Sequence, residues 1–225
     1  MLKIGHRGAK AHEDENTLES FAKAIGLGAT GIELDVHVCA TGELVVIHDF
    51  TVDRTTNGTG EVSRLSLSRI KELKTTGGYS VPLLEEVLDL AGTSCLINIE
   101  MKGRHTAQPV AKIVQDYVEQ KGYSYSDFIV SSFQHEELVA ISKINPQIHL
   151  GVLTQANINE AMEVAAEVSA KAIHPHFSLL TEHNIKKARD AGYKIFTWTV
   201  NDHEDIARVK LYKPDGIISD YPERL

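Results

Sequence analysis

Cysteine is scarce in this chain, and the two present, Cys39 and Cys95, make neither a CxxC pair nor a framework of bridges. A disulfide scaffold is excluded, and a reducing compartment suits both thiols. Basic residues are in the minority. The 23 Lys and Arg face 31 Asp and Glu for a net charge of -8, and no block of more than two consecutive cations occurs, so the electrostatic footprint of a nucleic-acid binder is missing. No apolar run approaches the roughly 20 residues of a membrane span. Met1-Leu2-Lys3-Ile4 leads straight into Gly5-His6 without the charged and apolar regions of an export signal. The expectation is a soluble, cytoplasmic protein without membrane insertion, whose acidic balance suits a small phosphorylated substrate in a locally basic pocket. Internal repeats and low-complexity segments are also absent.

What is present is ordinary globular material, 42% hydrophobic and 24% charged over 225 residues, a length that a single closed α/β barrel can fill. Short β-branched runs alternate with helical periodicity, the pattern of βαβ units and a parallel sheet. Strands are predicted at Leu2–Ile4, Gly31–Val38, Leu44–His48, Cys95–Met101, Phe128–Phe133, His149–Leu153, Lys171–Ile173, Lys194–Val200 and Gly216–Ser219. That is one more than an eight-stranded barrel needs, so the Leu44 or the Lys171 run lies off the barrel or is irregular. Apolar residues at i, i+3, i+4 and i+7 mark helices through Leu18 and Ile25, Val110 and Tyr117, and Ala161 and Val168. Asn16 with Glu19 reads as an N-cap and its reciprocal partner, Gly26, Gly122 and Gly192 as helix stops, and Pro82 as the first turn of a helix Leu83–Leu90. Thr51 to Val81 is rich in Thr, Ser and Gly, breaks the alternation, and reads as an insertion beside a site.

The chemistry-bearing residues stand at or near strand ends. Glu33 and Asp35 are two apart on one strand and share a face, with His37 in line behind them; Asn98, Glu100 and Lys102 share a face on another. Buried carboxylates require a partner or a cation, and oxygen ligands suit Mg²⁺ or Ca²⁺. Taken singly, an E-x-D pair also fits solvent-exposed strand ends, and His6 and His48 also fit structural hydrogen bonding.

The joint pattern resembles the glycerophosphodiester phosphodiesterase family from end to end. The resemblance rests on Gly5-His6-Arg7-Gly8, Glu15-Asn16-Thr17-Leu18, Gly31-Ile32-Glu33-Leu34-Asp35-Val36, Val45-Val46-Ile47-His48-Asp49, Arg54 through Gly60, Pro82 through Leu88, Glu100-Met101-Lys102, Trp198-Thr199-Val200-Asn201 and Ser219-Asp220-Tyr221-Pro222. It implies a (β/α)8 barrel of the triosephosphate-isomerase type, one domain over 1–225 with a small inserted subdomain at about 51–81. The implied activity is metal-dependent hydrolysis of glycerophosphodiesters to sn-glycerol 3-phosphate and an alcohol.

By the same resemblance, Glu33, Asp35 and Glu100 are ligands of one divalent cation, Mg²⁺ or Ca²⁺ with Mn²⁺ also compatible. His6 and His48 are the general acid and base, in an order left open with a slight preference for His6 as acid. Arg7 and Lys102 contact the phosphate, and Trp198 lines the glycerol pocket. Glu15 either touches substrate or supports the first helix. Phe133 reads as core, and His174-Pro175-His176 as structural or peripheral. Two positions depart from the family pattern, Asp14 before Glu15-Asn16 and Cys39-Ala40-Thr41 in a turn; neither removes a proposed ligand. The alternatives are a barrel that binds a phosphorylated ligand without turnover, disfavoured by the complete residue set, and a lysophospholipid phosphodiesterase, disfavoured by the lack of a basic amphipathic helix.

Overall fold

The computed structural model describes residues Met1–Leu225. Eight parallel strands close into a barrel: β1 Leu2–His6, β2 Gly31–Val38, β4 Leu96–Met101, β5 Phe128–Ser132, β6 Leu150–Thr154, β7 Ala172–Pro175, β8 Lys194–Thr197 and β9 Gly216–Ser219, with β1 paired to both β2 and β9. Of the two runs in question, it is the Leu44 run that lies outside: β3 Leu44–Val46 pairs antiparallel with β2. The reason is local. Five residues, 39–43, join β2 to β3, enough for a hairpin but not for the crossover that a parallel neighbour requires.

The outer ring is α1 Leu18–Gly26, α3 Leu84–Ala91, α4 Ala107–Gln120, α5 His135–Ile144, α6 Ile158–Glu167, α7 Glu182–Asp190 and α8 His203–Leu211, with α2 Leu67–Glu72 in the segment after β3. Each barrel helix lays an apolar stripe on the strands, as with Val110, Val114 and Tyr117 of α4, and the main core of 43 buried residues lies in this layer.

Two helix ends differ from expectation. Thr17, not Asn16, caps α1, its side chain accepting from the Ser20 N–H, because Asn16 is in a left-handed conformation (φ 59°) and its amide is held by Asp35. Helix α1 does stop at Gly26, with the left-handed turn following at Gly28. Pro82 precedes the cap of α3 rather than opening its first turn; the cap is Leu83, whose N–H donates to Glu86 at 2.7 Å.

Inside the barrel the strands change character along their length. At one level of the barrel Ile4, Ile129, Ala172, Phe196 and Ile218 pack together as an apolar plug. His6, Glu33, Asp35, Asn98 and Glu100 gather above it, toward the mouth to which the carboxyl ends of the strands lead. The segment between β3 and α3 has its own small core, in which Val52, Val62, Ile70, Leu73 and Val81 pack on Val45 and Ile47.

His174 lies within the plug, as a structural residue. It is 1% exposed, tilts against Phe196 at 5.2 Å, and fills space that exists because residue 151 is glycine; a Cβ there would overlap its Nε2. Neither ring nitrogen has a protein partner, and burial pushes its pKa down to about 3. An imidazole that stays neutral when folded but protonates near 6.5 when unfolded subtracts stability as pH falls below 6.5 toward 3, and nothing above that range. His174→Leu is therefore expected to lose less stability than the parent between pH 7.5 and pH 5, measured by urea unfolding at both values.

Candidate active site

The first part of the site is the turn that ends β1. Arg7 has φ 52°, a conformation that side chains other than glycine adopt at a cost. The turn is held on both sides by glycines that no Cβ could replace: one at Gly5 would come within 2.6 Å of the Gly8 carbonyl, and Gly8 (φ 86°) lies against Ser20. This geometry aims the Arg7 N–H at Glu33 (2.9 Å) and brings its guanidinium to Asp35 (Nε 3.2 Å from Oδ2) and Glu15 (2.8 Å).

Parallel register does the next step. Asp35 of β2 pairs with Glu100 of β4, and His6 of β1 pairs with Glu33. Glu33, Asp35 and Glu100 are all buried and present carboxylate oxygens within 4.8 Å of one another. Burial, with the repulsion of Asp35 and Glu100, raises Glu33 well above the ordinary carboxylate range. Burial and Asp35 raise Glu100 to about 7 against the pull of Lys102. Burial acts the same way on Asp35, but Arg7, Lys102, His48 and the Asn16 amide outweigh it and hold Asp35 low. Asp35 Oδ1 has no hydrogen-bond partner and lies 3.8 Å from Lys102 Nζ. Glu100 Oε1 is approached by the same ammonium at 2.8 Å, as an ion pair rather than an aligned hydrogen bond. Three carboxylates thus face two cations, and a hard divalent ion fits the donor set.

Each histidine rests on a carboxylate. His6 Nδ1 is 2.6 Å from Asp220 Oδ1, and Asp220 is held in turn by the Asn201 amide (2.8 Å). His48 Nδ1 is 2.6 Å from Asp49 Oδ1, and Asp49 is gripped by Arg54. With Nδ1–H donating to a carboxylate, Nε2 of each ring is left for other work. Burial lowers both imidazoles, more than the neighbouring carboxylates restore. His37, in line with the acids, instead fixes the loop, its Nε2 3.1 Å from the His48 carbonyl.

Arg54 joins the inserted segment to this site. It also binds Glu15 (2.7 and 3.1 Å), which binds Arg7. Burial would raise Glu15, but hydrogen bonds from Arg54 and Arg7 carry it down to about 2. Glu15 is thus a bridge between two arginines. Asp14 accepts from the Gly77 N–H at 2.6 Å and ties down the far end of the insertion.

His6, Arg7, Glu33, His48, Glu100, Lys102 and Trp198 line one hollow of about 100 Å³; Asp35 lies beneath it. Trp198 is fixed by a hydrogen bond from its indole to the His174 carbonyl (2.7 Å). Phe133 is not core: it is 44% exposed and stands edge-on to Trp198 at 5.5 Å. A cavity of about 530 Å³ opens at the opposite end of the barrel and holds none of these residues, so size alone would misplace the site. Asp220, Asn201 and Arg54 escaped the sequence reading as functional positions. Asp220 directly follows the last strand, where the rule that found Glu100 also applies; for Arg54, buried in a Thr-rich loop pattern, no such signal exists.

A closed parallel barrel that gathers its charged groups at the carboxyl ends of its strands defines a class of barrel enzymes. Comparison narrows the class. Residues 6–224 match the model of the glycerophosphoryl diester phosphodiesterase family. A glycerophosphodiester phosphodiesterase of Caldanaerobacter subterraneus is 38% identical over all of this chain and 96% of its own length, and one of Bacillus altitudinis is 35% identical over 100% and 96%. Among solved structures, an Oleispira antarctica phosphodiesterase in complex with its product sn-glycerol-3-phosphate superposes with TM-score 0.89 at 25% identity, covering 98% of this chain and 93% of that one. A glycerophosphodiester phosphodiesterase from Agrobacterium tumefaciens gives 0.87 at 30%, covering 100% and 98%. The chain belongs to the glycerophosphodiester phosphodiesterase family and is a phosphoric diester hydrolase.

Arg54 is about half exposed, so its ion pairs are discounted for solvent. Arg54→Ala is expected to cost roughly 1 kcal/mol in urea unfolding and to speed limited proteolysis within residues 51–81, with the helical circular dichroism unchanged.

Proposed function

We propose that the enzyme hydrolyses glycerophosphodiesters to sn-glycerol 3-phosphate and an alcohol, with a divalent cation held by Glu33, Asp35 and Glu100 and with His6 and His48 as general acid and base. The observation that carries this reading is the paired arrangement of the histidines. Two imidazoles, each oriented through Nδ1 by its own carboxylate, flank one group of buried acids and cations. Such pairing sets the tautomer and leaves Nε2 free to exchange a proton.

Arg7 and Lys102 hold the phosphate, and the planar guanidinium of Arg7, locked by Glu15 and Asp35, presents its charge in a fixed direction. When bound, the cation supplies Lewis-acid polarisation of a phosphoryl oxygen and makes the net charge of the centre positive, which suits a phosphodiester monoanion. Oxygen donors fit Mg²⁺ and Ca²⁺, with Mn²⁺ also compatible. One imidazole takes the proton of the attacking water as its oxygen bonds to phosphorus; in the alternative route the neighbouring glycerol hydroxyl attacks first and water then opens the cyclic phosphate. The other, as imidazolium, gives its proton to the leaving alkoxide as that P–O bond breaks. Asp220 and Asp49 hold the rings through both transfers, and Trp198 offers an apolar face to the glycerol carbons.

We read residues 1–225 as a single catalytic domain in which the insertion at about 51–81 serves the site through Arg54. A cytoplasmic setting fits the two free, buried cysteines. No helix is long and apolar enough to cross a membrane.

Release of glycerol 3-phosphate, followed by a coupled assay over glycerophosphodiesters with Mg²⁺, Ca²⁺ and Mn²⁺, tests the reading. His6→Ala and His48→Ala are each expected to lower kcat by on the order of 10² or more while circular dichroism shows an intact fold. Full activity in excess chelator, or in either variant, would overturn it. Relief of charge crowding gives an independent check. Glu33→Gln is expected to raise the Tm of the metal-free protein and to abolish the further rise that Ca²⁺ produces in the parent.

A further inference from the structure

Two hollows meet at the charged mouth. The smaller, of about 100 Å³, is walled beyond the catalytic groups by Trp198, Thr199, Leu153 and Ile218. The larger, of about 400 Å³, opens on the other side of His48, Glu100 and Lys102, and its own walls are Asp49, Phe50, Met101 and Gln134. Phe133 belongs to both and forms the partition. A phosphodiester held at Arg7 and Lys102 has two ester arms, and the fold provides two unequal compartments for them.

The larger compartment is poor in free hydrogen-bonding groups. Both carboxylate oxygens of Asp49 are taken by Arg54, and one also by His48. The Gln134 amide nitrogen donates to the Lys102 carbonyl, and the Lys102 ammonium is paired with Glu100. Beside the Gln134 amide oxygen, what remains is largely aromatic. Phe50, 63% exposed, and Phe133, 44% exposed, share this one compartment as an exposed aromatic pair, and Phe50 is held edge-to-face by His37 at 4.9 Å. Phe133 is held in the same way by Trp198, with Lys102 Nζ 5.7 Å from its centroid.

We infer that the Phe50–Phe133 compartment is the subsite for the leaving alcohol, and that it selects alcohols clothed in methyl or methylene groups, such as the trimethylammonium of choline, over polyhydroxy alcohols. The inference rests on the phosphodiesterase reading above and names the substrate class within it. Methyl groups bury the exposed rings, and a quaternary ammonium adds attraction to their faces. A polyol in the same place exchanges hydration for a wall whose polar groups are mostly bound to one another, with the Gln134 amide oxygen as a free acceptor, and loses hydrogen bonds it had in water. The three-carbon arm falls to the smaller hollow, whose walls add the Thr199 and Asn98 side chains to the face of Trp198.

The test compares kcat/KM for glycerophosphocholine and glycerophosphoglycerol in the parent and in Phe50→Ala and Phe50→Tyr, all assayed by glycerol 3-phosphate release with saturating cation. The expected parent prefers the choline ester by roughly tenfold. Phe50→Ala is expected to lose about tenfold on the choline ester and less than about twofold on the glycerol ester, while Phe50→Tyr retains the preference. Equal kcat/KM for the two esters in the parent overturns the inference, as does an equal loss on both in Phe50→Ala. If no diester yields glycerol 3-phosphate, the phosphodiesterase reading itself falls, and the subsite with it.

Discussion

Three carboxylates buried within 4.8 Å of one another are the constraint around which this molecule is arranged. Packed alone, they would repel each other in a medium of low dielectric and lose the hydration they enjoy in the unfolded chain. The structure meets that cost from several directions. Arg7 arrives by a left-handed turn, Lys102 lies on the continuation of β4, and Asn16 gives up its place as a helix cap to donate to Asp35. The left-handed conformations of Arg7 and Asn16 depart from the simplest local choice, and both departures point at the same acids. Such local cost, placed where charge must be held in position, is typical of functional sites.

The same logic extends outward through a chain of ion pairs. Arg7 leads to Glu15, Glu15 to Arg54, Arg54 to Asp49 and Asp49 to His48. Beginning at the end of β1, this path crosses into the inserted segment and returns to the loop after β3. It explains how a Thr- and Gly-rich stretch with only one short α-helix and one 3-10 turn can hold an imidazole in register with a rigid barrel. The other imidazole needs no such path. Asp220 and Asn201 stand at the mouth beside it, so His6 is oriented by the barrel itself.

Much of this is legible in the sequence alone. The alternation of strand and helix patterns gives the barrel, and period-two parity puts Glu33 with Asp35 and Glu100 with Lys102. The place of β3 outside the barrel is also local, because five residues between Val38 and Leu44 cannot carry a crossover. The misreadings share one origin. Asn16 has the chemistry of an N-cap, and Phe133 has the composition of a core residue, and both were read by neighbours in sequence. In the fold, Asn16 answers to Asp35, 19 positions away, and Phe133 to Trp198 and Lys102. His174 shows the converse: a polar residue in a metal-like H-x-H pattern that the plug absorbs beside Gly151.

By itself the sequence determined which side chains share a strand face, which elements alternate, and which residues carry charge into a mostly apolar barrel, because these follow from backbone periodicity within a few residues. Only the tertiary structure decided that Asp35 lies beside Glu100 and His6 beside Asp220, that Arg54 reaches the site, and that two hollows divide at Phe133. Those relations are set by strand register and barrel closure, which bring together residues up to 214 positions apart. No local pattern encodes such distances, since the energy that selects them is shared over the whole closed sheet.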